Sequence, residues 1–150
     1  MALFVLTRRS ALPPAACLDR LTDWPRHGER VPFTRVSTAR GSGRQPGDTV
    51  LARTSLGPFV FDDLMEIVEL TVPTAGSDGL CRLAKRGRPV RGWAELRVRA
   101  GGGAAGGAAG GSVVSWTEEI VLPWLPGFLD PVLACAGRLV FGRVLDRLLS

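Results

Sequence analysis

The chain has 150 residues, of which 45% are apolar and 22% charged, and its formal net charge is +5. This length fits one domain with an ordinary hydrophobic core, and the composition excludes a disordered chain and a polytopic membrane protein. We therefore expect a soluble globular protein in which residues 1–150 form a single domain that needs no metal or disulfide to fold.

The positive charge is spread along the chain. All but one of the 19 basic residues are arginines, and they alternate with acidic residues. No run of five or six like charges, typical of a nucleic-acid-binding tail, is present in the sequence. We predict no nucleic-acid partner.

Cysteine usage favours a reducing compartment. Cys17, Cys81 and Cys135 are odd in number, far apart and surrounded by apolar residues, which favours buried, reduced thiols and a cytoplasmic location. Residues 1–17 resemble a lipoprotein signal only superficially, because no positive charge precedes the apolar run and two arginines interrupt it. No uncharged apolar stretch reaches the roughly 18 to 20 residues that a membrane span requires.

The chain begins with one strand and two short helices. Residues 1–7 are apolar and β-prone, which predicts a strand buried on both faces. Ser10 can cap a helix that ends near Leu21, and Trp24-Pro25 breaks it. One more helical turn fits within residues 23–32, before Pro32 prevents its continuation.

A meander of six strands follows. Short β-prone segments are separated by turns rich in glycine and proline, and this hairpin spacing indicates an antiparallel sheet. The predicted strands are residues 33–38, 49–56, 59–72, 80–86, 90–99 and 112–123.

The segment 100–112, AGGGAAGGAAGGS, is predicted to be a flexible hairpin loop, because glycine and alanine repeats bury little apolar surface. It contains a literal GxGxxG, but a dinucleotide site requires this motif to follow a strand and open a helix. The residues that follow alternate like a strand, so we predict no dinucleotide cofactor.

A long amphipathic helix is predicted to run from Asp130-Pro131 to about Leu149. Small residues in its first two-thirds would let the helix approach the sheet closely or leave space between the two. The residues predicted on its apolar face are Leu129, Val132, Leu133, Ala136, Leu139, Val140 and Val144.

Strand parity singles out one acidic residue. The face of the last two strands that should point toward the helix is apolar: Gly92, Ala94, Leu96, Val98, Val114, Trp116, Ile120 and Leu122. Glu118 shares this face. A buried carboxylate must find a partner, take up a proton or line a wet cavity. Alternatively, the strand twists at its end and Glu118 reaches solvent or an arginine.

In the preceding hairpin, the alternation of apolar and polar side chains is less regular. It directs Met65 and Leu83 inward, and with them Asp63 and Lys85, which could be partners of Glu118. A slip of one residue in register would reverse this assignment and return Lys85 to the surface, where lysines are usually found.

Catalytic motifs are almost absent from the sequence. His27 is the only histidine and no CxxC pair is present, so we predict no metal site. The hydrolase, P-loop and zinc-protease motifs are missing as well. His27 lies in a segment flanked by proline and glycine, where it either faces solvent, caps a helix or serves as an acid or base.

The order of elements resembles the helix-grip fold of the START-related SRPBCC superfamily. The chain is similar to small polyketide cyclase/dehydrase-like members from high-GC actinobacteria over nearly its whole length. The segments that carry the resemblance are 23–36, 57–70, 87–98, 114–123 and 130–149. The resemblance implies an α+β fold, in which a curved antiparallel sheet of about seven strands wraps around the long C-terminal helix.

The same resemblance implies an apolar cavity between sheet and helix. Trp24 and His27 would lie near its mouth, and Lys85 would contribute to ligand binding. The expected walls are formed by Ala94, Leu96, Trp116, Glu118, Leu133, Ala136 and Val140. Members of the superfamily bind lipids, hormones or polyketides, and some catalyse cyclisation or dehydration in the cavity, but no shared catalytic signature can be transferred.

Three functions remain open. The first is a cofactor-independent carrier of a hydrophobic small molecule, acting as a monomer or homodimer. The second is a cyclase- or dehydrase-type enzyme in which Glu118, with His27 as a further candidate, transfers protons. The third is docking of the basic C-terminal helix on a membrane surface.

Overall fold

The computed structural model describes residues 1–101 and 111–150. Within these ranges the chain forms seven strands, three α-helices and one 3-10 turn. The elements are β1 (Ala2–Ser10), α1 (Pro14–Leu21), α2 (Trp24–Arg30), β2 (Thr34–Arg40), β3 (Thr49–Leu56), β4 (Phe59–Thr71), β5 (Gly79–Lys85), β6 (Arg91–Ala100), β7 (Ser112–Val121), the 3-10 turn Gly127–Leu129 and α3 (Asp130–Leu148).

All described strands belong to one antiparallel sheet. Its order is β1-β7-β6-β5-β4-β3-β2, so consecutive strands pair as hairpins and β1 adds to the last strand. The helix α3 packs against β1, while α2 contacts both β2 and α3. The predicted fold class is confirmed: a sheet of seven strands faces a long C-terminal helix, and two short helices follow the first strand.

The strand β1 differs from its prediction. It reaches Ser10 and is buried on one face only, with Leu3 and Val5 45% and 56% exposed. The prediction of two buried faces is wrong because the helices cover only one face of the sheet, so the other face of β1 meets solvent. Ser10 does not cap α1 either. It ends the strand, its Oγ accepts a hydrogen bond from the amide of Leu12, and Pro13 precedes the helix.

The helix α3 is rotated relative to the predicted apolar face. Val132 and Leu139, predicted to face the sheet, are 64% and 55% exposed. The buried residues of α3 are Gly137, Gly142, Val144, Leu145 and Leu148. The prediction is right for Val144, which is buried, and wrong for Val132 and Leu139. Apolar residues surround this helix, so the 3.6-residue period fits more than one face.

A close contact at Gly137 explains the observed rotation. A Cβ atom at this position would lie 2.6 Å from Cε1 of Phe4, so the aromatic ring of β1 occupies the space that a side chain would need. Phe4 also stacks on Phe141, with 5.7 Å between ring centroids. The pair of contacts turns the Gly137 and Phe141 side of α3 toward the sheet.

The last hairpin follows its predicted parity. Ala94, Leu96, Val98, Val114 and Trp116 are buried, and so is Glu118. The strand β6 extends one residue further than predicted, because Ala100 pairs with Ser112, and β7 begins at Ser112 as predicted. The remainder of the predicted flexible loop, residues 102–110, lies outside the described residues. No helix of the described ranges is long and apolar enough to cross a membrane.

Candidate functional site

A cavity of about 470 Å³ lies between the concave face of the sheet and α3. Aliphatic and aromatic side chains form most of its wall. Leu56 and Trp124 belong to this wall and are 47% and 55% exposed. The mouth of the cavity therefore lies at the end of the sheet where β3 turns into β4 and β7 ends. Trp124 stacks there on Phe61, with 5.6 Å between ring centroids.

The structure brings most of the predicted site residues together around this cavity. They are Trp24, His27, Lys85, Ala94, Leu96, Trp116, Glu118 and Leu133. Ala136 and Val140 do not line it, and Ala136 is exposed. The prediction that they line the cavity is wrong because α3 is rotated, which places Phe141 at the cavity together with the predicted Leu133.

Helix α2 positions Trp24 and His27. They are three positions apart, so both lie on one side of the helix, and both are buried. The helix approaches β2 closely because Gly28 has no side chain: a Cβ atom there would lie 2.5 Å from the amide nitrogen of Val36. The indole of Trp24 donates a hydrogen bond of 2.7 Å to the carbonyl of Gly43. Neither ring lies at the mouth, contrary to the prediction.

His27 is a buried, neutral histidine. Its Nε2 lies 2.6 Å from the carbonyl oxygen of Leu21. A carbonyl only accepts, so Nε2 carries the proton and Nδ1 is left as an acceptor. Burial lowers the pKa of His27, against the smaller raising effects of the Leu21 hydrogen bond and the Asp23 charge. The alternative of a solvent-exposed histidine is wrong.

Lys85 and Glu118 form a buried ion pair in the cavity wall. Lys85 Nζ lies 3.0 Å from Glu118 Oε1, and both side chains are almost fully buried. The indole of Trp116 donates to Glu118 Oε2 at 3.0 Å. The alternative in which Glu118 reaches solvent or an arginine is wrong. The strand partners explain the arrangement, because Glu118 faces Ala94, a small residue that leaves room for the lysine.

Asp63 is the third member of this cluster. Its Oδ2 accepts a hydrogen bond from Lys85, as the weaker parity of the β4–β5 hairpin predicted. Burial alone would lower the pKa of Lys85, but the charges of Glu118 and Asp63 outweigh it and raise the pKa above its ordinary value. Lys85 is therefore a cation throughout the neutral range. We call Lys85, Glu118 and Asp63 the polar cluster.

One oxygen of the polar cluster has no partner. Asp63 Oδ1 is buried and accepts no hydrogen bond from any residue that the structure describes. A buried acceptor without a partner costs about 1 to 3 kcal/mol. A polar group from outside the chain would be stabilised at this position.

Some cavity residues were not predicted from the sequence. Phe141 packs against Trp116, with 4.9 Å between ring centroids. Phe61 lines the cavity near its mouth, and the strand parity that directed Asp63 and Met65 inward applies to it as well. That signal was present in the sequence. The position of Phe141 depended on the rotation of α3, for which the sequence contained no clear signal.

The cavity has an apolar wall with a carboxylate and a neutral imidazole in it, and its lysine is paired with two carboxyl groups of the chain. In residues 1–101 and 111–150 no group of three or more His, Cys, Asp or Glu side chains is placed to hold a metal ion. The glycines of the GxGxxG match lie mostly in residues 102–110, outside the described part of the chain.

Comparisons with known proteins identify the fold. No protein-family model matches the chain, and no curated protein matches its sequence. Among solved structures, Ara h 8.0201 is similar over 98% of this chain and 97% of its own, with a TM-score of 0.59 and 14% identity. The protein XoxI from Bacillus cereus is similar over 99% and 94%, with a TM-score of 0.60 and 12% identity.

A third solved structure, TTHA0849 from Thermus thermophilus, is similar over 98% of this chain and 97% of its own, with a TM-score of 0.61 and 11% identity. At these identities the likeness concerns the fold alone. The chain has the helix-grip fold, in which an open antiparallel sheet curves around a long C-terminal helix.

Proposed function

We propose that the chain binds a hydrophobic small molecule, lipid-like or polyketide-like, in the cavity between the sheet and α3. The observation that supports this proposal most directly is the cavity itself, whose volume of about 470 Å³ and apolar walls match those of small-molecule sites, which begin at roughly 300 Å³. The proposal describes one domain without a cofactor. It includes a monomeric or homodimeric state and the cytoplasmic location indicated by three free thiols. Cys17 and Cys81 are buried as predicted, whereas Cys135 is exposed, contrary to the prediction.

The test uses the uncharged fluorophore N-phenyl-1-naphthylamine, whose emission rises in apolar surroundings. We expect saturable binding of one molecule per chain. Ala52 lines the cavity, so Ala52→Leu should fill part of it and weaken binding at least tenfold. Ala84 lies on the other face of β5, opposite Trp93, and Ala84→Leu is the matched control. No saturable binding, or an equal loss in both variants, would contradict the proposal.

A second candidate function is proton transfer of the cyclase or dehydrase type. It is favoured by one observation: a buried carboxylate, Glu118, lies in the wall of an apolar cavity that the neutral imidazole of His27 also lines. One oxygen of Glu118 pairs with Lys85 and the other accepts a hydrogen bond from Trp116, and these contacts hold the side chain in one orientation. This candidate function is the one expected from the resemblance to polyketide cyclase/dehydrase-like proteins.

Glu118→Gln separates the two candidates, because it keeps the shape of the side chain and removes its proton chemistry. For an enzyme, turnover of a hydroxylated polyketone should fall at least a hundredfold, while binding of the fluorophore changes little. Equal turnover in the wild type and the variant would remove Glu118 as an acid or base.

A further inference from the structure

The side-chain donors around the cavity are already used within the protein. The indole nitrogens of Trp24, Trp116 and Trp124 donate to Gly43, Glu118 and Pro89, respectively. Each indole has a single N–H group, so none of the three can donate to a ligand. Nε2 of His27 is likewise committed to the carbonyl of Leu21.

The three N–H groups of Lys85 face acceptors of the chain itself. Its ammonium group has three protons, and three acceptors surround it: Asp63 Oδ2, Glu118 Oε1 and, at 3.8 Å, Met65 Sδ. The two threonines of the cavity wall are also paired. Thr34 donates to the carbonyl of Pro32, and the hydroxyls of Thr34 and Thr54 lie 2.8 Å apart.

Acceptors, in contrast, are available in the cavity wall. Asp63 Oδ1 is buried without a partner in the described part of the chain, and Nδ1 of neutral His27 carries a lone pair. The polar cluster also combines a single ammonium group with two carboxyl groups. A carboxylate ligand entering here would meet two carboxyl groups and no free side-chain donor, and an unpaired buried charge is costly.

We infer that the polar cluster selects a ligand that has a hydrogen-bond donor, either a hydroxyl or an amine, on an apolar body, and that it rejects carboxylates. This inference rests on the proposed function and names the chemical class of its ligand. The donor of the ligand would satisfy Asp63 Oδ1, while its apolar body lies against the aliphatic and aromatic side chains of the wall.

The test is displacement of N-phenyl-1-naphthylamine from the full chain at pH 7.5 by three matched compounds. 4-Hexylphenol has a donor, 4-hexylanisole is its methyl ether and has none, and 4-hexylbenzoate is an anion. We expect 4-hexylphenol to bind at least tenfold more tightly than either of the other two, because only the phenol satisfies a buried acceptor.

Two neighbouring aspartates provide the variants. In Asp63→Asn, the amide oxygen can accept from Lys85 and the amide nitrogen then offers a donor, so the preference for the phenol over the ether should shrink at least fivefold. Asp62 points to the opposite face of β4, where it pairs with Arg53, and Asp62→Asn should leave the preference unchanged.

The outcomes distinguish the inference from the function on which it rests. If the fluorophore does not bind at all, the proposed function fails. If it binds and is displaced equally well by the phenol and the ether, or best by the benzoate, the inference is overturned and the proposed function stands. An equal loss of preference in both aspartate variants would also overturn the role of Asp63.

Discussion

At the scale of single residues, burial decides the chemistry of His27. The ring packs between Trp24 and Trp116, with centroid distances of 5.3 and 5.6 Å. Since burial lowers its pKa, the folded protein holds the neutral form, while the unfolded chain takes up a proton below pH about 6.5. The contribution of His27 to stability is therefore complete above that pH and is lost as the pH falls.

We expect the free energy of unfolding to decrease between pH 7.5 and 5.5 by at most about 1.4 kcal/mol per pH unit below 6.5. Urea denaturation across this range measures the effect. His27→Gln should abolish the slope, because the chain has no other histidine. Carboxyl groups such as Glu95, whose pKa is lowered by its hydrogen bond to Arg82, contribute only at more acidic pH. A slope that persists in the variant would disprove this assignment.

Lys85 is the residue on which the polar cluster depends. Removing it leaves Glu118 buried without its cation, and breaking a buried pair in this way costs about 3 to 5 kcal/mol. We expect Lys85→Met to reduce the free energy of unfolding by that amount, as measured by urea denaturation.

The neighbouring Arg86 is the matched control for Lys85. It pairs with Glu66 at 2.9 Å on the exposed side of the hairpin, where an ion pair contributes about 0 to 1 kcal/mol. Arg86→Met should therefore cost little. Similar losses in the two variants would mean that burial of the Lys85 pair has no special role.

At the scale of elements, two glycines of α3 are expected to respond to alanine in opposite directions. Alanine in a helix interior is favoured over glycine by up to about 1 kcal/mol. At Gly137 the added Cβ would lie 2.6 Å from Phe4, and this overlap should outweigh the gain. At Gly142 the nearest atom is Nη2 of Arg8, 3.1 Å away at the end of a flexible side chain.

We therefore expect Gly137→Ala to lower the free energy of unfolding by about 1 to 3 kcal/mol and Gly142→Ala to leave it equal or higher. Thermal denaturation of the two variants compares them directly. Stabilisation by Gly137→Ala would show that the contact with Phe4 does not determine the rotation of α3.

An irregularity in β4 limits what strand parity can predict. The pairing of β4 with β5 shifts register between Ile67 and Glu69. Before the shift Met65 faces Lys85, and after it Leu70 faces Cys81, so the two-residue alternation does not continue along the whole strand. The alternation correctly predicted that Asp63 and Lys85 face inward, because Asp63 and the Met65–Lys85 pair both precede the shift.

At the scale of the whole molecule, ligand binding should be coupled to folding. A ligand that binds only the folded state at 100 times its Kd adds about 2.7 kcal/mol of stability. For a domain of this size we expect saturating N-phenyl-1-naphthylamine to raise Tm by roughly 5 to 10 °C. Ala52→Leu, measured at the same ligand concentration, should show a smaller shift. A shift of equal size in that variant would place the ligand elsewhere.

The sequence by itself determined the element order, the antiparallel sheet and the buried face of the last hairpin. These features depend on local patterns: turn residues set the hairpins, and the two-residue period sorts side chains between two faces. For the same reason it predicted that Glu118 and Lys85 lie on the inner face, although it could not decide whether Glu118 would be paired or exposed.

Only the tertiary structure decided which face of α3 meets the sheet, that His27 is buried, and that Asp63 Oδ1 remains without a partner among the described residues. Helix rotation depends on a contact between Phe4 and Gly137, which are distant in sequence, and a side chain's hydrogen bonds depend on atoms from several strands. Patterns within one segment contain no information about such contacts, because the neighbouring atoms come from other segments.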